Sequence, residues 1–429
     1  MEAIKQVLRD RLEATRQRTL WLMDQVPDEV LRVRVHDFYS PIGWHFGHVG
    51  RTEEFWIIVE ALGQAPRDPH LSWLLADLPD NPKDNRTSIP DRAGLKAYMA
   101  ATREATLEAL ERADLSDPSR LLNFGYGWDF AIQHECQHQE TIAEMLTLLA
   151  QRRGVNAYPP ANPPSWSPGL EPDFVEIPGG CFTMGSDDPF GYDNEHAAHE
   201  AEVAAFELAR YPVTAYQWSE FIRSGGYQNP ALWSKEGWDW RCRTEATLPE
   251  YWTQIDGAYF SFYPMGLRPV HPDEPAGCLS WFEADAYGRW SGHRLPTEVE
   301  WEFAAGATPE GVKNRFPWGG QNPDQTRANF GLNTFSLQPV QNFPRGASRW
   351  GVEGLAGNLW EWTSSAFLPY PGFEAYPYDG YSKDHMKGAH RVCRGGSFAT
   401  APEILRTTFR NWYVPNYRQG FLGLRVARG

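Results

Sequence analysis

Two histidines four residues apart, in His134-Glu-Cys-Gln-His138, are the side chains whose spacing most directly suggests chemistry. Residues i and i+4 share a helix face, so both imidazoles can reach one metal ion. The segment also matches H-E-x-x-H, a pattern that makes His134 and His138 zinc ligands and Glu135 the general base of a hydrolase, with a third ligand downstream. The bland alternative is a helix that carries two surface histidines. A second histidine-bearing stretch, Ser40-Pro-Ile-Gly-Trp-His45-Phe-Gly-His48, can bring a further imidazole to the same ion, from His48 or, one turn earlier, from His45. Gly47, next to His48, suits close packing. Three imidazoles from two helices leave open positions on the metal, and imidazole ligation suits iron as well as zinc or copper.

Such side chains need a helical scaffold, and residues 1–155 have the periodicity of one. Ile4, Val7, Leu8 and Leu12 recur at three- and four-residue steps, as do Leu95, Tyr98, Met99, Thr102, Thr106 and Leu110. Between them a helix is expected from Pro41 to about Leu62, with Ser40 as its N-cap and Pro41 at its first position. A last helix, from about Asp129 to Leu149, shows the stripe Ile142, Met145, Leu146 and Leu149. Four helices of this length predict a bundle. Residues 156–170 are proline-rich and read as a linker. From 171 to 429, short apolar runs such as Phe174-Val-Glu-Ile177 alternate with Gly, Asn, Asp and Pro clusters, which predicts a loop-rich α+β domain.

Composition bounds the partners. With 429 residues the chain exceeds one ordinary core, in line with two domains. A formal charge of -15 disfavours nucleic acid or an anionic membrane as the main partner. Nineteen Trp, 18 Tyr and 23 Phe suit loops pinned by aromatic rings, which often build small-molecule pockets. The five cysteines, Cys136, Cys181, Cys242, Cys278 and Cys393, are scattered without a C-x-x-C, so neither a disulfide framework nor a zinc knuckle is expected. With no apolar leader and no membrane-length apolar run, a cytoplasmic location is expected.

The motifs taken together resemble the sulfoxide synthases of ergothioneine biosynthesis, which join a DinB-like four-helix bundle to a formylglycine-generating-enzyme/C-type-lectin-like domain, and the related selenoneine synthases. In the bundle the resemblance rests on S-P-x-x-W-x-x-x-H from Ser40 to His48, on the stretch from Asn81 to Pro90, and on H-E-C-Q-H-Q-E-T from His134 to Thr141. In the second domain it rests on Ile177 to Ser186, Arg294 to Glu302, Gly357-Asn-Leu-Trp-Glu-Trp362, Arg394-Gly-Gly-Ser397 and Gly420 to Arg425. It implies Fe(2+) held by His48, His134 and His138, and the small-molecule substrates hercynine (Nα-trimethylhistidine), a thiol or selenol donor and dioxygen, giving a sulfoxide. It places Gln137 and Tyr381 where the family holds the substrate imidazole, Tyr378 at the proton donor, and Asn411 and Trp412 at the betaine end. A trimethylammonium group donates no strong hydrogen bond, so an aromatic face is its natural partner.

The chain departs from the family in the donor region. Members that use γ-glutamylcysteine carry an acid directly after the Asn-Trp pair and an arginine four residues later, where this chain has Tyr413 and Tyr417. A two-arginine pattern in Asn81 to Pro90 is reduced to Lys83 and Arg86, and lysine is the poorer bidentate carboxylate clamp. With Arg418, these residues define the expected donor subsite. They favour free cysteine or a neutral selenium sugar, and leave selenoneine synthesis as a second outcome. Competing classes are a zinc hydrolase or thiol transferase on the bundle, a formylglycine-generating or copper oxidase in the second domain, where Cys393 lacks an evident partner, and a lectin-like binding module.

Overall fold

The buried stripe of each long helix is what gathers the first unit. The computed structural model describes residues 1–154, 166, 169–309, 311 and 313–429, so the linker expected over 156–170 lies almost wholly outside the described residues. The chain divides into two compact units, Met1–Leu149 and Ala150–Gly429. The helices of the first are α1 (Glu2–Asp24), α2 (Ile42–Glu53), the short α3 (Pro69–Leu74), α4 (Arg92–Arg112) and α5 (Tyr126–Arg153). All six α4 residues of the predicted stripe are buried. On α1, Leu8 and Leu12 are buried, whereas Val7 is 55% exposed; the buried face continues instead through Thr15, Arg16 and Thr19.

The entry to α2 corrects one expectation. Ser40 does not cap the helix: Pro41 occupies the N-cap position with ψ 144°, and Ile42 is the first helical residue. The buried Ser40 hydroxyl instead accepts Arg86 Nη1 at 2.9 Å. Past Glu53 the chain keeps winding as a π-helix, Glu54–Ala61, so the helix expected up to about Leu62 is present with a wider last portion. Gly47 permits a close approach, because a Cβ there would lie 2.5 Å from the Leu75 side chain. That approach brings the Leu75 carbonyl to α2, where the candidate site uses it.

In the second unit the recurring motifs meet as buried ion pairs. A four-stranded sheet runs in the order Asn411–Tyr413, Arg391–Arg394, Trp360–Ala366, Leu422–Leu424. The helix Glu298–Gly306 is capped by Thr297, whose hydroxyl and backbone N–H donate to the Glu300 carboxylate at 2.9 and 2.8 Å. From this helix Glu298 takes Arg394 and Arg410, Glu302 takes Arg394, and Trp301 Nε1 donates to Glu361 at 2.8 Å. Glu361 in turn holds Arg425 at 2.7 Å. The Arg, Glu and Trp of these motifs therefore build the core of the domain, around Ile177, Phe182, Leu208, Phe303 and Leu355. Among the described residues, no helix is long and apolar enough to cross a membrane.

Candidate metal centre

α2 and α5 bring three histidines to one point. Ligand atoms of His48, His134 and His138 all lie within 4.8 Å of one another. The ring centroids are 5.0 Å apart for His48 and His134, 4.9 Å for His48 and His138, and 4.5 Å for His134 and His138. Burial pushes the first two imidazoles well below the usual histidine pKa, and pushes His138 down to about 4 against the pull of Asp77 and Glu135. All three are neutral near pH 7 and offer lone pairs.

The surroundings orient these lone pairs. His48 Nδ1 donates to the Leu75 carbonyl at 2.6 Å, which leaves Nε2 for a ligand. Its ring stacks on Trp44 at 4.2 Å, and the Arg86 guanidinium lies over that indole at 4.6 Å. His134 Nδ1 is buried with no hydrogen-bond partner among the described residues. Three convergent neutral nitrogens, one with an orphaned ring atom, fit a divalent transition metal.

His45, the rival ligand, stands beside this group with its Nδ1 2.9 Å from His138 Nδ1. Glu135 points elsewhere. Its carboxylate accepts from Arg16 Nε at 2.8 Å and Arg103 Nη2 at 3.1 Å, while Glu53 at the end of α2 binds the same two guanidinium groups. Burial opposes its ionisation, yet Arg16 and Arg103 hold its carboxyl down at about 2. A general base of the H-E-x-x-H kind needs a carboxylate free to take a proton from metal-bound water, and Glu135 is committed to two arginines. This quartet of Arg16, Glu53, Arg103 and Glu135 ties both histidine-bearing helices to α1 and α4, and the sequence gives no local sign of it.

The other expected bundle residues are placed as follows. Gln137 is half-buried on α5, between His134 and His138 in the sequence. Lys83 Nζ donates to the carbonyls of Asp37 and Phe38 at 3.0 and 2.6 Å. Arg86 is buried and commits its nitrogens to Asn81 O, Ser40 Oγ and Asp77, so it is a structural cation here.

In the second unit, taken by itself, Tyr378, Tyr381 and Trp412 form an aromatic cluster. Tyr381 lies 6.4 Å from Tyr378 and meets Trp412 edge-on at 5.7 Å. Trp412 stacks flat on Phe367 at 4.1 Å, and Tyr381 on Tyr192 at 4.4 Å. Tyr378 is 40% exposed. His385, absent from the expected site residues, lies 5.8 Å from Trp412; its place in the same loop as the two tyrosines is the one sign of it in the sequence. Asn411 and Tyr413 flank Trp412 on the edge strand, with Asn411 Nδ2 3.3 Å from the Tyr413 hydroxyl. Tyr413 and Tyr417 stack on each other at 4.3 Å and 10°. Arg418 is buried, bonded to Glu283 at 2.9 Å and beside Glu250 at 3.3 Å.

Residues 11–142 match the DinB superfamily and residues 162–429 the sulfatase-modifying factor enzyme 1-like domain. A DinB-type helical unit joined to such a domain is the two-domain class to which the chain belongs, and its relatives in that class make it an oxygen-dependent oxidoreductase. Within it the chain is similar to three curated relatives named hercynine oxygenase. It is 37% identical to that of Mycolicibacterium smegmatis over 99% of both chains. It is 38% identical to that of Mycolicibacterium thermoresistibile over 96% of this chain and 92% of the relative, and 38% to that of Mycobacterium tuberculosis over 97% of each. The chain belongs to the hercynine oxygenase family.

Proposed function

We propose that the chain is an iron(II) enzyme that uses dioxygen to join a sulfur or selenium donor to the imidazole C2 of hercynine. The observation that carries this reading is the group of three neutral imidazoles, two buried and one half-buried, in a chain alike over nearly its whole length to relatives named for that substrate. His48, His134 and His138 would hold the ion. Iron(II) there would supply dioxygen activation and hold both substrates as neighbours, making a termolecular encounter intramolecular. The balance is closed without a further reductant: a thiol, the ring C–H and O2 give the sulfoxide and one water.

The remaining roles belong to the chain. Gln137 and Tyr381 orient the hercynine imidazole, Tyr378 donates a proton, and Asn411 and Trp412 receive the betaine end, the indole face meeting the trimethylammonium group. The donor is free cysteine or an uncharged sulfur or selenium sugar. Supporting this, Tyr413 and Tyr417 pack on each other, Arg418 is tied to Glu283, Arg86 is consumed by Ser40, Asn81 and Asp77, and Lys83 is spent on two carbonyls. A selenium sugar would make the product a selenoneine precursor. Five free cysteines suit a reducing cytoplasm. The test is incubation of iron-loaded protein with hercynine, air and a panel of thiol and selenol donors, with product masses read out. The expected result is oxygen-dependent coupling at the imidazole; no coupled product with any donor would overturn the reading.

A further inference from the structure

His45 is buried, 6% exposed, one turn before His48 on α2, and its ring centroid lies 5.1 Å from that of His138. The contact is a hydrogen bond between the two Nδ1 atoms, 2.9 Å apart. A neutral imidazole carries one proton and one lone pair, so only one of these two nitrogens donates. If His45 donated, the lone pair of His138 would be used up at Nδ1 and its proton would sit on Nε2, leaving no nitrogen for a metal. His138 serves as a ligand only when its own Nδ1–H donates to His45. We infer that His45 is a positioning residue of the metal centre, which accepts the Nδ1–H of His138 and thereby turns the His138 Nε2 lone pair to the ion. The inference rests on the metal reading above and concerns how one ligand is held.

Two further observations agree. His48 has the same arrangement, with the Leu75 carbonyl accepting its Nδ1–H, so His45 does for one ligand what a backbone carbonyl does for another. Accepting at Nδ1 also places the proton of His45 on Nε2, an atom that is buried with no partner among the described residues. His45 thus leaves one N–H unsatisfied while its other nitrogen is engaged by His138. A fourth ligand would have to give up that bond.

The experiment uses the full chain and cobalt(II) as a spectroscopic probe, comparing His45→Asn, His45→Leu, His45→Ala and His48→Ala. Asparagine can place its amide oxygen near the former Nδ1 and still accept from His138; leucine and alanine cannot. The expected result is a 10- to 100-fold weaker cobalt affinity and a shifted visible band for His45→Leu and His45→Ala, with His45→Asn within about 3-fold of the parent. The alanine variant keeps the test valid if leucine perturbs folding. Unchanged affinity and band in His45→Leu or His45→Ala would overturn the inference. So would an Asn variant as damaged as the others, because that marks His45 as a ligand in its own right. Should His48→Ala keep full cobalt binding, the metal reading fails, and that outcome is separate from any effect at His45.

Discussion

Glu135 sits between two candidate ligands, where a zinc hydrolase would keep its base, and its environment decides the matter. Arg16 and Arg103 take its carboxylate at 2.8 and 3.1 Å, so it is an anion in a buried quartet. Glu135→Gln is expected to retain oxygen-dependent coupling per folded molecule while lowering stability by about 3 kcal/mol, because two buried guanidinium groups lose half their compensation. Loss of turnover without loss of stability would instead mark Glu135 as a base. His134→Ala and His138→Ala should behave in the opposite way, abolishing iron binding in a protein that still unfolds cooperatively; iron content after dialysis checks this. The i, i+4 spacing made this pair legible in the sequence. The choice of His48 over His45 came from family resemblance, since both lie on the same short helix. The quartet was not legible, because Arg16 and Glu135 are 119 residues apart and nothing local in either segment names the other.

Elements matter most around the tyrosine loop of the second unit. Ser382, next to Tyr381, bonds to Asp193 and accepts Asn194 Nδ2 at 2.9 Å, so the segment 192–195 anchors the loop. That segment is itself held through Glu195, which takes Arg406 Nε at 2.8 Å, the Thr408 hydroxyl at 2.6 Å and the Tyr192 N–H at 2.9 Å. Burial works against the charged form of Glu195, but these partners win and hold its carboxyl at about 2. A folded pKa below the unfolded one means that the stabilisation is complete above about pH 4.5 and drains away as pH falls toward 2. Its size is about 3 kcal/mol. The melting temperature of Glu195→Gln should therefore fall well short of the parent at pH 7, and the gap should close as pH drops from 4.5 toward 2. Calorimetry at stepped pH reads this directly, and a constant gap would refute it. Helices were readable from three- and four-residue periodicity. The motifs of the second unit marked its fold, yet their pairings, such as Glu298 with Arg410, join segments 112 residues apart and emerge only in three dimensions.

Across the whole molecule the distribution of committed charge bears on the donor. The chain carries a formal charge of -15, and the cations expected to bind the donor are already engaged within their own units. Arg418 is bonded to Glu283, and Arg86 to Asp77. Tyr413 and Tyr417, standing where an acid and an arginine would serve γ-glutamylcysteine, face each other as a flat stack. γ-Glutamylcysteine carries two carboxylates and one ammonium against one of each in cysteine, and burying the additional carboxylate without a partner costs roughly several kcal/mol, each 1.4 kcal/mol being tenfold in affinity. Cysteine or an uncharged selenium or sulfur sugar is therefore expected to show a much higher kcat/KM than γ-glutamylcysteine. Equal concentrations of the three donors with hercynine and air, followed by mass spectrometry, give the ranking in one vessel. Replacing Tyr413 with Asp and Tyr417 with Arg should then move the preference toward γ-glutamylcysteine if the missing clamp is what excludes it. A parent enzyme that already prefers γ-glutamylcysteine would mean that Lys83, Arg86 or Arg418 exchanges its present partner for the donor, and that the tyrosine pair does not set the choice.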